Sequence, residues 1–222
     1  MSSLHGKIQG LDGVRALSVI AVVWHHTHPG YEWLPISQHG FLGVDLFFVL
    51  SGLLITSLLL REQQQTGTIS LRNFYIRRSL RIFPLYYAVL AALGAAFLLA
   101  DPASTLRQTF FAELPFHATY TSNWIESHTF LAITWSLSTE EQFYLIWPPL
   151  FVLLGRAALW ILLPFLALNQ LINFGPMDGW LASQGLAYAS LPILQSTFTP
   201  ILLGVLLAFA MDSPRWRAAL AR

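Results

Sequence analysis

The sequence contains no cysteine, and only 10% of its 222 residues are charged. Without thiols there is no disulfide framework, no thiolate metal site and no covalent thiol chemistry, so any catalysis rests on other groups. A soluble domain usually carries about a quarter charged residues, and so few here cannot clothe a surface that faces water. The formal net charge of +1 is too small for the basic field that holds nucleic acid. Common soluble signatures are also missing: there is no Gly-x-Ser-x-Gly elbow, no P-loop and no His-x4-Asp. Asp12 and Arg15 interrupt the first apolar stretch, so the N-terminus does not have the form of a cleaved signal and reads as a retained first span.

What the sequence has is hydrophobicity, 55% of all residues. A membrane span needs roughly 20 mostly apolar residues, and six ranges qualify: Leu11 to His28, Gly40 to Leu60, Ile82 to Ala100, Ile133 to Gly155, Ala157 to Phe174 and Leu191 to Met211. The expected fold is therefore all-α, a polytopic integral membrane bundle of about six transmembrane helices. Pro148 and Pro149 are expected to kink the fourth span. The stretch 175–190 reads as a partial or re-entrant helix.

Arginine and lysine in short loops mark the cytoplasmic side. The segment from Arg61 to Arg81 carries Arg61, Arg72, Arg77, Arg78 and Arg81, which sets it inside. Lys7, Arg156, Arg215, Arg217 and Arg222 then fall inside as well, and the 101–132 and 175–190 segments fall outside. The N-terminus is expected in the cytoplasm, and Ser70 is expected to cap a short surface helix before Pro84 opens the third span.

Charged groups within a span cost about 2.5–3.5 kcal/mol on insertion scales, so each is a functional candidate by default. Arg15 and His26 are 11 residues apart and return to nearly the same helix face, separated by about 16 Å along the axis. The plainer reading is that Arg15 snorkels or pairs with Asp12 and that His26 is an interfacial histidine. His25, His26 and His28 lack the spacing of a metal site, and no metal is expected. Asp45 enters its span at about the depth of His26 and could orient the imidazole or bond a neighbouring helix. Glu140 and Glu141 lie at similar depth but point about 100° apart, so at most one faces the Asp45 and His26 group. Arg78 and Arg81 share a helix face at the inner end of the third span. They read either as topological charges or as a bidentate phosphate grip.

These residues fall in blocks that resemble the acyltransferase 3 family of membrane O-acyltransferases. The blocks are Leu11-Asp12-Gly13-Val14-Arg15-Ala16-Leu17 with His26 in an Arg-x10-His spacing, Gly43-Val44-Asp45-Leu46-Phe47-Phe48-Val49-Leu50-Ser51-Gly52, the stretch Phe74 to Pro84 with its Arg-x2-Arg pair, and the stretch Trp135 to Tyr144. The four occur in order over roughly residues 8 to 150, and together they are far more specific than any one alone. The resemblance implies one membrane acyltransferase domain over 1–222, with an external region at 101–132. It implies transfer of an acyl group, usually acetyl from acetyl-CoA, to a hydroxyl of a cell-envelope carbohydrate or lipid-linked sugar, at the inner membrane and among its lipids. It further implies that Arg15, His26, Arg78, Arg81 and Glu140 carry function. Such proteins generally continue for several more helices, so the chain reads as a shortened member.

The mechanism expected on this basis has His26 as general base on the acceptor hydroxyl, since imidazole ordinarily titrates near pH 6.5 (about) and can take a proton at neutral pH. Asp45, Glu140 or Glu141 would orient it, while Arg15, Arg78 and Arg81 would hold the phosphates of an acyl-CoA co-substrate. No permanently bound cofactor is expected. The rival readings are a transporter or channel with a buried proton or anion path, and an inactive shortened scaffold.

Overall fold

A computed structural model describes residues 11–27, 39–173, 180, 183–184 and 198–213. Among them there are helices and turns but no strand. They form α1 (Leu11–Thr27), α2 (Leu42–Thr66), α3 (Leu71–Leu98), α4 (Thr105–Ala118), α5 (Trp135–Leu154), α6 (Leu159–Asn173) and α7 (Thr199–Asp212). Short 3-10 turns occupy Ser122–Trp124, Phe130–Thr134 and Gly155–Ala158. Two compact units divide the chain: residues 1–61 with 199–222, and residues 62–198.

Among the described residues, three helical stretches are long and apolar enough to cross a membrane: Leu42–Thr66, Leu71–Leu98 and Phe130–Leu171. The last holds 42 residues, about 63 Å of helix at 1.5 Å per residue and roughly twice a hydrocarbon core. It is broken at Gly155, whose φ of 55° lies in the left-handed region that favours glycine. The sequence reading counted six spans. Of the other ranges, α1 has 17 residues and α7 has 14, and 191–197 lie outside the described residues. The same holds for His28, Lys7, Arg215, Arg217, Arg222 and most of 175–190. Large apolar side chains face outward along the long helices, with Leu153 and Trp160 each 79% exposed, as a lipid-facing surface requires.

In the first unit, glycines set how closely helices approach. A Cβ on Gly43 would meet the Ser18 carbonyl at 2.6 Å and Val22 at 2.9 Å, so α1 and α2 pack backbone to backbone. Gly52 of α2 abuts the Ile201 carbonyl of α7, and Gly204 abuts that of Val49. Small residues that let backbones touch are the usual device of helix packing in a bilayer. Phe48, Leu59, Ile201 and Val205 are buried in this unit.

In the second unit, α2 ends at Thr66 because Gly67 takes φ 74° and its N–H bonds back to the Gln63 carbonyl at 3.0 Å, a glycine C-cap. Ser70 then caps α3 by accepting a hydrogen bond from the Asn73 N–H at 3.4 Å. The cap lies where the sequence put it, but the helix does not stop before Pro84. Instead α3 runs unbroken for 28 residues with Pro84 inside it, so the expected surface helix and third span are one element. Pro148 and Pro149 likewise lie inside a continuous α5. The external segment of the sequence reading contains a 14-residue helix, α4, whose Phe110 is buried in one cluster with Leu90 of α3 and Leu131 of the Phe130–Thr134 turn, with Phe97 stacked on Phe110 at 4.5 Å.

Candidate functional site

In the first unit the candidates are Arg15, His26 and Asp45. His26, exposed near the end of α1, holds its Nδ1 2.8 Å from the Val22 carbonyl. A carbonyl can only accept, so Nδ1 carries the proton, and the lone pair of the neutral ring sits on Nε2. His25 meets the His26 ring edge-on at 5.4 Å between centroids. Arg15 lies 5.8 Å over the Phe47 ring, and its buried Nε has no hydrogen-bond partner among the described residues. The side chain of Asp12, the alternative partner for Arg15, is outside the described residues. Asp45 is half-buried in the first turn of α2. No hydrogen bond joins it to His26 among the described residues.

In the second unit, Arg78 and Glu141 come together. Arg78 Nε lies 3.4 Å from Glu141 Oε1, with the two side chains 18% and 12% exposed. The pair is a charge contact and not an aligned hydrogen bond, because both atoms remain without a hydrogen-bond partner. The Arg78 guanidinium also lies 3.1 Å from the centroid of the Tyr144 ring, close cation–π stacking. Tyr75 fastens α3 to the same part of α5, its hydroxyl donating to the Leu145 carbonyl at 3.0 Å. Arg78 and Arg81, equivalent in sequence, thus differ in place: Arg78 is engaged within the fold and Arg81 is exposed. Glu140 is buried and engaged.

A polar network that the sequence reading did not single out joins α4 to the start of α5. The Glu113 carboxylate accepts from the Ser127 hydroxyl at 2.7 Å, the Thr129 hydroxyl at 2.9 Å and the His128 N–H at 2.8 Å. His117, fully buried, sits with Nε2 3.6 Å from Glu113 and with Nδ1 2.9 Å from the Thr134 hydroxyl. Ser122 links Thr134 at 3.1 Å to Ser138 at 2.8 Å. Asn123 and Gln142 exchange hydrogen bonds through their amides, the Gln142 amide donating at 2.7 Å. One signal was available: Glu113 and His117 are four apart, hence on one helix face, but they lie in a segment read as a loop.

Glu113 and His117 lie outside the three spanning stretches, while Thr134, Ser138 and Gln142 of the network fall within the third, and the titrations of the first two follow from their contacts. Burial pushes the Glu113 carboxyl up, but the His128 N–H, the two hydroxyls and His117 outweigh it and hold the group below its ordinary value. Burial lowers His117 below the usual imidazole range despite the opposing pull of Glu113. Among the described residues no group of three or more His, Asp or Glu side chains is arranged to hold a metal ion.

The model of a family described as "Acyltransferase domain" matches residues 8–221. The chain is 39% identical over 156 residues to the Staphylococcus aureus (strain COL) protein named "Putative O-acetyltransferase", covering 66% of this chain and 25% of that one. It is 35% identical over 182 residues to the peptidoglycan O-acetyltransferase OatA of Listeria monocytogenes serovar 1/2a, covering 76% of this chain and 27% of that protein. The chain thus spans about a quarter of the length of these relatives. No solved structure matches it.

Proposed function

The chain belongs to the acyltransferase domain family that matches residues 8–221, and from that premise we propose that it is the membrane part of an O-acyltransferase. The reaction moves an acyl group, acetyl in the first instance, from an acyl-CoA onto a hydroxyl of a cell-envelope carbohydrate. The name of the Listeria relative supports a peptidoglycan-like acceptor. The observation that carries the reading is the Nδ1 contact of His26 with the Val22 carbonyl, which leaves Nε2 as a fixed lone pair suited to a general base.

In the proposed step, Nε2 takes the proton of the acceptor hydroxyl as its oxygen attacks the thioester carbonyl carbon. The new C–O bond forms, the C–S bond breaks, and the imidazolium returns the proton to the departing CoA sulfur. Arg15 and exposed Arg81 are the arginines proposed for the phosphates of the donor, with Arg78 held against Glu141 as the interior member of the pair. Asp45 is proposed to order the polar groups around the base, and Glu140 is proposed as a further functional carboxylate. The chain lies in the inner membrane with its N-terminus cytoplasmic, a reading supported by the arginines of the 61–81 segment.

The test is acetyl transfer by the protein in liposomes, from radiolabelled acetyl-CoA to a soluble peptidoglycan fragment, measured beside proton and anion flux. Labelled acceptor without flux is the expected result. Flux without transfer would overturn the reading in favour of a transporter.

A further inference from the structure

We propose that Arg77 and Arg81 seat the headgroup phosphate of an anionic phospholipid on the exposed side of α3, with an acyl chain lying along Leu80 and Leu85. The inference rests on the membrane setting of α3 and is independent of the acyl-transfer reading.

The length of α3 sets the depth of these residues. Its 28 residues make a rod of about 42 Å, whereas a hydrocarbon core is about 30 Å thick and a bilayer with its headgroup layers roughly 40–45 Å. About eight residues therefore lie beyond the core. They fall at the N-terminal end, because Ile82 to Ala100 carries no charge and Arg72, Arg77, Arg78 and Arg81 all precede it. Arg77 then stands in the headgroup layer and Arg81 at its border with the acyl chains, within reach of lipid phosphates.

This end of the helix lacks counter-charge. No acidic residue occurs between Glu62 and Asp101. Glu62 accepts the Ser70 N–H at 2.9 Å, and Glu141 faces Arg78. Arg77 and Arg81 are exposed, and among the described residues neither has an ion pair or hydrogen bond. The two stand four residues apart, about 6 Å along the axis and 40° around it, so their like charges repel. A phosphate held between the guanidinium groups removes that repulsion and accepts paired N–H donors. Arg81 is also proposed for the acyl donor, and its five N–H groups allow it to serve two phosphates.

The surface beyond the pair suits a lipid chain. At 100° per residue, Pro84 and Ala88 lie within about 20° of Arg77, with Leu80 about 60° to one side and Leu85 about 80° to the other. All four are exposed, Leu80 at 70% and Leu85 at 72%. A proline and an alanine between two leucines leave a shallow apolar trough that runs from the arginines toward the core, and the arginine stems extend it. A soluble phosphate compound engages only the charged end of this surface, whereas a phospholipid fills both parts. Arg72 lies about 140° around the helix from Arg77, away from the trough.

The experiment titrates the purified chain in detergent micelles with phosphatidylglycerol and with phosphatidylcholine, each fluorescent on one acyl chain, and separately with acetyl-CoA. Wild type, Arg77→Gln and Arg72→Gln are compared, and thermal midpoints are taken in lipid-free detergent. Wild type should bind phosphatidylglycerol the more tightly, and Arg77→Gln should weaken that binding about fivefold or more, the contribution of one arginine at an anionic surface. Arg72→Gln, with the same net charge, should change it less than about twofold. Arg77→Gln should keep its midpoint and its affinity for acetyl-CoA. No preference for phosphatidylglycerol in wild type, or equal weakening by the two variants, overturns the seat in favour of diffuse attraction. Loss of acetyl-CoA affinity in Arg77→Gln with lipid binding unchanged overturns it in favour of the donor. A midpoint lowered by several degrees in Arg77→Gln overturns the premise that Arg77 is free of the fold.

Discussion

Arg78 of α3 and Glu141 of α5 face each other across 3.4 Å in a largely enclosed setting, with the Tyr144 ring beneath the guanidinium. Removing one partner of a buried pair leaves the other charge uncompensated, at a cost of roughly 3–5 kcal/mol. Arg78→Ala should therefore destabilise strongly in denaturant unfolding, and Arg78→Met with Glu141→Leu should recover most of the loss. Exposed Arg81 should behave in the opposite way. Arg81→Ala should leave stability within about 0.5 kcal/mol, and both it and Arg81→Lys should weaken acetyl-CoA binding, because lysine lacks the bidentate fork. Strong destabilisation by Arg81→Ala, or unchanged donor binding, would return Arg81 to a topological role.

The two adjacent histidines at the end of α1 should separate sharply. His26→Ala is expected to lower acyl transfer about 100-fold or more, the size of a general-base contribution, with membrane insertion intact. His25→Ala should keep most activity. Equal transfer by His26→Ala and wild type would rule out the proposed step.

The α4 network predicts acid lability with a definite sign. Folded His117 binds a proton less readily than an ordinary imidazole of 6.5, so the unfolded chain takes up more protons as pH falls below that value, and stability falls with it. Folded Glu113 is held below its ordinary 4.5, so its contribution is present above that pH and is lost as pH falls further. The thermal midpoint should decline from about pH 6.5 downward and again below about 4.5. His117→Gln should flatten the first decline. A midpoint that rises as pH drops from 7 to 5 would contradict the burial of neutral His117.

Glycines on the helix faces should divide by what their missing Cβ would meet. Gly52→Ala and Gly204→Ala place a methyl against the facing backbone of Ile201 and Val49, and each should cost about 1–3 kcal/mol through overpacking. Gly94 of α3 has nothing within 4 Å of such a Cβ. Gly94→Ala should be neutral or stabilising by up to about 1 kcal/mol from helix propensity. Thermal midpoints in detergent read both, and equal behaviour of the three variants would refute the close contact of α2 and α7.

By itself the sequence determined the class of the molecule, since composition and long apolar runs are properties of the chain alone, and the four ordered blocks carried the family. One local signal also held, because capping is decided by neighbours in sequence: Ser70 acts before α3 where its side-chain chemistry requires. The third span was legible only in part, because Pro84 gave a reason to start a helix and none to continue one. Other relationships depended on packing between segments far apart in the chain. Arg78 and Arg81 have the same helical spacing and charge, and only the approach of α5 buries one against Glu141 and Tyr144 while leaving the other exposed. The Glu113 and His117 network was invisible for the same reason. Hydrogen bonds and burial at such positions are made between elements, and helical periodicity says which face a residue occupies but not what will be brought against it.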